Sequence, residues 1–243
     1  MHRRSIRRCA ASGIAGVALI SGCSGSPPAS PSATMRAPSI AEIARSSAVD
    51  IRATGCRPLE VRGAGAVVMG GYILTAAHVV AGSTSITVRP AAPTDAGAVK
   101  AVLVAIDPAN DLALLSPQGL GLAPLPLGMM QAQDEGVAII FRDGAGIAQP
   151  FTVARQVVVR ILDIYGEAMI SRDGYRVDIS ILPGDSGAVL VGPDGAASGV
   201  LYAKSRAEDN RAWAADTSTV ATLVRSAAAA DPRAGIRTGK CAA

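Results

Sequence analysis

The sequence predicts an all-β domain, a barrel or a sandwich, ending in one α-helix. Three observations carry this. Short apolar runs recur along the chain, broken by Gly, Pro or Asp at intervals that suit strands. Turn chemistry lies between them, as in Pro193-Asp194-Gly195. The periodicity changes only near the end, where Val220, Leu223, Val224 and Ala227 fall on one helical face.

In chain order the candidate strands are 65–69, 72–75, 85–89, 99–106, 112–115, 136–141, 152–161, 176–179, 188–191 and 197–203. The Pro-rich stretch 116–128 reads as a connection between two halves. Residues 40–47 are a candidate short helix. The terminal helix is expected over 217–229, with Asp216, Thr217 or Ser218 able to cap it. Trp213, the single tryptophan, is expected to pack against that helix.

The first 22 residues have a different character. Arg3, Arg4, Arg7 and Arg8 precede an apolar run from Cys9 to Ile20. That run falls short of the ~20 apolar residues a membrane-spanning helix needs. Ile20-Ser21-Gly22-Cys23 resembles a lipobox, so the expectation is an export signal over 1–22 and an acyl chain such as palmitate on Cys23. The alternatives are a short uncleaved anchor or an ordinary secretory signal. Residues 23–39 are rich in Ser and Pro and read as a disordered tether, leaving 40–243 for the folded domain.

Removing the leader changes the electrostatic picture. Its four arginines account for the whole net charge of +4, and the remaining chain carries 19 acidic residues matched by as many basic ones. The basic isoelectric point therefore implies neither a nucleic-acid partner nor a polybasic membrane patch. Of four cysteines, Cys9 leaves with the leader and Cys23 takes lipid. Cys56 and Cys241 remain as an even pair in an exported, oxidising setting, where a disulfide is expected over two free thiols. With one histidine left and no further thiol, no metal site or cofactor is expected.

That one histidine, His78, lies in Leu74-Thr75-Ala76-Ala77-His78-Val79-Val80. Asn110-Asp111-Leu112-Ala113-Leu114-Leu115 and Gly184-Asp185-Ser186-Gly187 follow. Serine is a poor nucleophile at neutral pH and needs a base beside it. Imidazole suits that task, and a buried carboxylate fixes its tautomer and stabilises the cation that forms. His78, Asp111 and Ser186 are those residue types in one chain.

The three motifs, in that order, resemble the chymotrypsin-like (trypsin-fold) serine proteases over about residues 50–230. The resemblance implies two six-stranded antiparallel β-barrels with a C-terminal helix, the first over about 50–125 and the second over about 126–230. It implies a His78–Asp111–Ser186 triad between them and an oxyanion hole from the N–H groups of Gly184 and Ser186. The glycine-started segment Gly63-Ala64-Gly65-Ala66 and the absence of a cysteine after His78 look more like Deg/HtrA-type and membrane-tethered actinobacterial proteases than digestive enzymes. No Arg/Lys-Ile-Val-Gly-Gly activation site precedes His78, so Asp185 is expected to serve its local turn.

The same resemblance assigns substrate contacts. Leu201-Tyr202-Ala203 would pair with substrate backbone and wall the specificity pocket, with Tyr202 or Lys204 narrowing it. Ser180, six residues before Ser186, stands where trypsin-like enzymes place an acid, which argues against cleavage after Lys or Arg. Small or medium apolar side chains are the expected preference. Ala188-Val189 departs from the Gly-Pro of many relatives. The expectation is a lipid-anchored, extracytoplasmic serine endopeptidase acting on proteins or peptides, with an inactive trypsin-fold binding scaffold as the alternative.

Overall fold

Strand β3 (Ile73–Ala76) is wholly buried, and so are the first four residues of β6 (Leu112–Pro117). Both faces of these strands are covered, which is why they read as continuous apolar runs and not as alternation. They pair antiparallel and form one wall of the first barrel. The computed structural model describes residues 36–56, 58–92 and 97–243; the leader, the Cys23 lipobox and the tether up to residue 35 lie outside the described residues.

The first barrel contains β1 (Ala48–Thr54), β2 (Val61–Val67), β3, β4 (Ser85–Pro90), β5 (Val99–Asp107) and β6, in spatial order β1-β2-β3-β6-β5-β4. It closes through antiparallel pairing of β1 with β4. The second contains β7 (Glu135–Arg142), β8 (Ala145–Leu162), β9 (Met169–Asp178), β10 (Val189–Val191), β11 (Ala197–Lys204) and β12 (Arg211–Asp216), and closes where β10 pairs with β7. Two six-stranded antiparallel barrels are therefore present, as the resemblance implied. Each core is filled mainly by Ala, Val, Leu and Ile. Fully burying side chains such as Leu74, Leu112, Leu114 and Leu115 contributes about 1.5–3 kcal/mol each.

Two strands extend well past the sequence reading. β8 and β9 form a long hairpin from Leu162↔Met169 to Thr152↔Asp178, and Val158, Leu162 and Met169 on it are exposed. β1 and β12 are strands that apolar patterning did not single out.

Helix α1 (Ile40–Ser47) begins at Ser39, whose hydroxyl accepts from the Glu42 N–H while Glu42 reaches back to the Ser39 N–H. That reciprocal capping box fixes where the helix starts. Helix α3 (Val220–Ala227) is shorter than expected and starts after Thr219, with no side-chain cap. Asp216 instead takes the backbone N–H and hydroxyl of Ser218 within the preceding turn. The buried face of α3, Val220, Leu223 and Ala227, packs on β5 and β6 of the first barrel. Trp213, expected beside this helix, is partly exposed on β12 and paired with Arg176 and Ala203.

After α3 the chain runs back along the first barrel. Ile236 donates to Leu103 O at 2.7 Å, and Gly82 donates to Thr238 O at 2.8 Å. Cys241 then forms a disulfide with Cys56, across a sequence separation of 185 residues. Closing so long a loop restricts the unfolded chain, a stabilisation of about 2–5 kcal/mol.

Candidate active site

The histidine segment is built by β3 turning sharply into α2 (Ala77–Val80). Ala76 and Ala77 are fully buried, so the bend has no room for larger side chains. Thr75 ties it to β2 through its hydroxyl, which donates to Ala64 O at 2.7 Å.

The aspartate is held by a loop with its own internal frame. Asp107 accepts from the N–H groups of Ala109 and Asn110, both at 3.1 Å, and from the Asn110 side chain at 2.7 Å. Asp111 follows with a φ of 56°. Aspartate visits this left-handed region more readily than most residues. The strained backbone turns its carboxylate inward, where the residue is 4% exposed.

Three hydrogen bonds join the two segments. Asp111 Oδ1 accepts from the His78 backbone N–H at 2.9 Å, and Oδ2 lies 2.8 Å from His78 Nδ1. The Asp111 carbonyl accepts from the Ala77 N–H at 3.0 Å. A carboxylate only accepts, so Nδ1 carries the ring proton and the Nε2 lone pair is free to take another. A second charge lies behind the carboxylate: Arg172 Nη1 is 3.9 Å from Asp111 Oδ2.

The serine turn is organised by a buried acid. Asp185 is 0% exposed. It donates its N–H to Leu182 O at 3.1 Å, its carboxylate accepts the Leu182 N–H at 2.7 Å, and its carbonyl accepts from Ala188 at 3.1 Å. Gly184, with φ of 101°, supplies a backbone conformation that side chains rarely adopt. The turn packs directly on the histidine segment's supports. Ser186 O accepts from the Ala64 N–H at 2.8 Å, and a Cβ on Gly187 would lie 2.2 Å from Ala64 O and 2.3 Å from Thr75 Oγ1. A Cβ on Gly63 would meet both Val79, next to His78, and the Ser186 carbonyl. The second-barrel turn carrying Ser186 is thus seated on the strand that α2 also packs against.

Asp185 has a partner that the sequence did not reveal. Arg142, the last residue of β7, forms a fork on it, with Nη2 2.7 Å from Oδ2 and Nη1 on Oδ1. The Asp185 hydrogen bond holds the guanidinium above its ordinary value, against the opposing effect of burial. The local-turn role expected of Asp185 is present in its Leu182 and Ala188 bonds, and its burial adds the need for a cation. Nothing local in the sequence chooses which one.

The assigned pocket residues are distributed unequally. Ser180 is exposed just beyond β9. Leu201 is fully buried, and its N–H and C=O are bonded to Ala188 and Gly187. Tyr202 and Ala203 are partly exposed at a register shift in β11. Burial pushes the Tyr202 phenol up, so it remains neutral near physiological pH. A cleft of about 180 Å³, lined by Arg52, Arg62, Arg142, Leu182 and Gly184 among others, opens beside the serine turn. Among the described residues no cluster of three His, Cys, Asp or Glu side chains is arranged to hold a metal ion.

The sequence profile of the trypsin-like peptidase domain matches residues 63–200, more than half of the chain. The chain belongs to the trypsin-like peptidase family. Within this family it is 28% identical over 200 residues to the serine protease Rv3671c of Mycobacterium tuberculosis, covering 80% of this chain and 49% of that protein. It is 33% identical over 134 residues to a probable periplasmic serine endoprotease, DegP-like, of Ectopseudomonas mendocina, covering 54% of this chain and 26% of that protein. The chain thus spans about half or less of these relatives' length. Among solved trypsin-like peptidases, the active form of the Rv3671c protease superposes with a TM-score of 0.75 at 26% identity, over 84% of this chain and 89% of that one. The HtrA-type protease AlgW with a decapeptide shares the fold, with a TM-score of 0.62 at 22% identity, over 78% of this chain and 66% of that one.

Proposed function

We propose that this chain is a serine endopeptidase using Ser186, His78 and Asp111, held at the extracytoplasmic face of a membrane by lipid on Cys23. The observation that carries the catalytic reading is the Asp111 carboxylate accepting from both His78 Nδ1 and the His78 backbone N–H. That pairing leaves Nε2 as a base aimed by its partner. In the proposed reaction Nε2 takes the Ser186 hydroxyl proton as Oγ attacks the peptide carbonyl. The resulting oxyanion is met by the N–H groups of Gly184 and Ser186, and the imidazolium returns its proton to the leaving amine. Water then repeats the sequence on the acyl-enzyme.

Substrate contact falls to Ser180, Tyr202 and Ala203, because Leu201 spends both backbone groups on the serine turn. An uncharged Ser180 favours small or medium apolar side chains at the cleavage site. The inactive-scaffold alternative is disfavoured by a histidine–aspartate pair already in catalytic register.

A fluorophosphonate probe on the purified, oxidised chain tests the reading. The expected result is labelling of the wild type, none of Ser186→Ala, and strong attenuation in His78→Ala. A folded wild type that neither labels nor cleaves peptides would establish the scaffold instead. The membrane claim rests on the lipobox-like Ile20-Ser21-Gly22-Cys23. Cells fed a labelled fatty acid should mark the wild type and not Cys23→Ala; label retained in that variant excludes Cys23 as the anchor.

A further inference from the structure

Arg172 is a fully buried cation with no part in the reaction just described, at 3% exposure. It lies on β9 opposite Val159 of β8, where the hairpin has passed the last residue of β9 that pairs with β12, Gly174. Its guanidinium leaves the second barrel and enters the first. Nε donates to the Ala109 carbonyl at 2.8 Å, two residues before Asp111, and Nη1 lies 3.9 Å from Asp111 Oδ2. That is the oxygen facing His78 Nδ1. Tyr202 covers the group, with its ring centroid 4.5 Å from Arg172 Cζ. Beside this contact the hairpin turn bonds the same loop, Ile164 N–H to Pro108 O at 3.3 Å.

We propose that Arg172 is a positioning residue of the triad, acting through Asp111 and held in place by Tyr202. The proposal rests on the triad reading above. A buried guanidinium persists only where its charge and its N–H groups are answered, and the carboxylate within ion-pair reach is Asp111. Asp111 in turn needs an external hold, because its backbone φ of 56° is costly and a loop relaxes unless its surroundings fix it. Arg172 supplies two fixings from one side chain: the Ala109 hydrogen bond anchors the loop, and the charge holds Oδ2 from behind. The β8–β9 hairpin thereby ties the aspartate-bearing barrel to the barrel that carries the serine.

Arg172 from β9 and Tyr202 from β11 thus back the carboxylate side of the pair, and Arg172 is the charged one, since burial keeps the phenol neutral.

The test uses the full chain in detergent, with active sites counted by fluorophosphonate. Arg172→Gln should lose about 10- to 100-fold in kcat, the scale of a small misplacement of catalytic groups. Its KM should stay within about threefold, since ground-state binding is untouched. Arg172→Lys keeps the charge without the planar fork, so it should recover only part of kcat. Tyr202→Leu, which uncovers Arg172 and also removes a proposed substrate contact, should lower kcat in the same direction as Arg172→Gln. If Arg172→Gln fails to fold, Arg172→Lys and Tyr202→Leu carry the test. Unchanged kcat in the folded variants overturns the positioning role and leaves the triad intact. A loss of active fraction alone, with kcat per titrated site unchanged, shows a merely structural arginine and also overturns it. A wild type without Ser186-dependent turnover overturns the triad reading itself.

Discussion

His78→Ala should lower kcat by about 10⁶-fold, and Asp111→Asn by about 10⁴-fold, when rates are expressed per folded molecule. The first loss follows from having no substitute imidazole: among the described residues His78 is the one histidine. The second follows from hydrogen-bond arithmetic. Both Asp111 oxygens face donors, Oδ1 the His78 backbone N–H and Oδ2 the His78 ring. An asparagine offers one acceptor and one donor group. In either orientation its NH₂ meets one of those hydrogens, so the ring flips to the wrong tautomer or α2 loses its tether. Because the aspartate acts through the histidine, the double variant should be no slower than His78→Ala alone. Peptide hydrolysis with active-site-titrated protein measures all three. A His78→Ala enzyme within tenfold of the wild type would remove imidazole from the mechanism, and additive losses in the double variant would show Asp111 acting by another route.

What the sequence revealed and what it hid divide along a physical line. His78, Asp111 and Ser186 were legible because each sits in a short segment whose neighbours are constrained: buried alanines before His78, a buried strand after Asp111, glycines around Ser186. Strands with continuous or alternating apolar residues were legible for the same reason. β1 was not, because its Asp50 is buried and becomes intelligible only with Arg52 of the same strand at 3.3 Å and Arg89 of β4 at 3.0 Å. β12 is short and alanine-rich, and alanine favours helix in isolation. It is a strand because β9 and β11 supply partners on both sides. The Cys56–Cys241 pair was legible by elimination. Arg142 and Arg172 were hidden most completely. Each is an arginine that reads as a surface side chain, Arg142 at the end of an apolar run and Arg172 outside any run the pattern singled out, and each is committed by a long-range partner, Asp185 or Asp111, that no local pattern announces.

Arg142 is where that hidden layer has its largest consequence for stability. Asp185 is fully inaccessible, and its carboxylate meets the Arg142 fork and the Leu182 N–H. Arg142→Met leaves the hydrogen bond to Leu182 but removes the countercharge, and stranding a buried carboxylate costs about 3–5 kcal/mol. Asp185→Asn added to Arg142→Met removes the stranded charge while keeping an acceptor for Leu182, so it should recover most of the loss. Activity should not recover in parallel. The two N–H groups proposed for the oxyanion hole flank Asp185 in sequence, and a turn no longer clamped by the fork lets them drift. That predicts a kcat deficit of about 10²- to 10³-fold in both variants, the scale of losing one donor. The His78–Asp111 pair lies on the other barrel and stays intact, so KM should change little. Urea unfolding and titrated kinetics separate these effects. If Arg142→Met unfolds within about 1 kcal/mol of the wild type, Asp185 does not depend on this arginine for its charge. If it is destabilised yet keeps full kcat, the ion pair supports the barrel and not the geometry around Ser186.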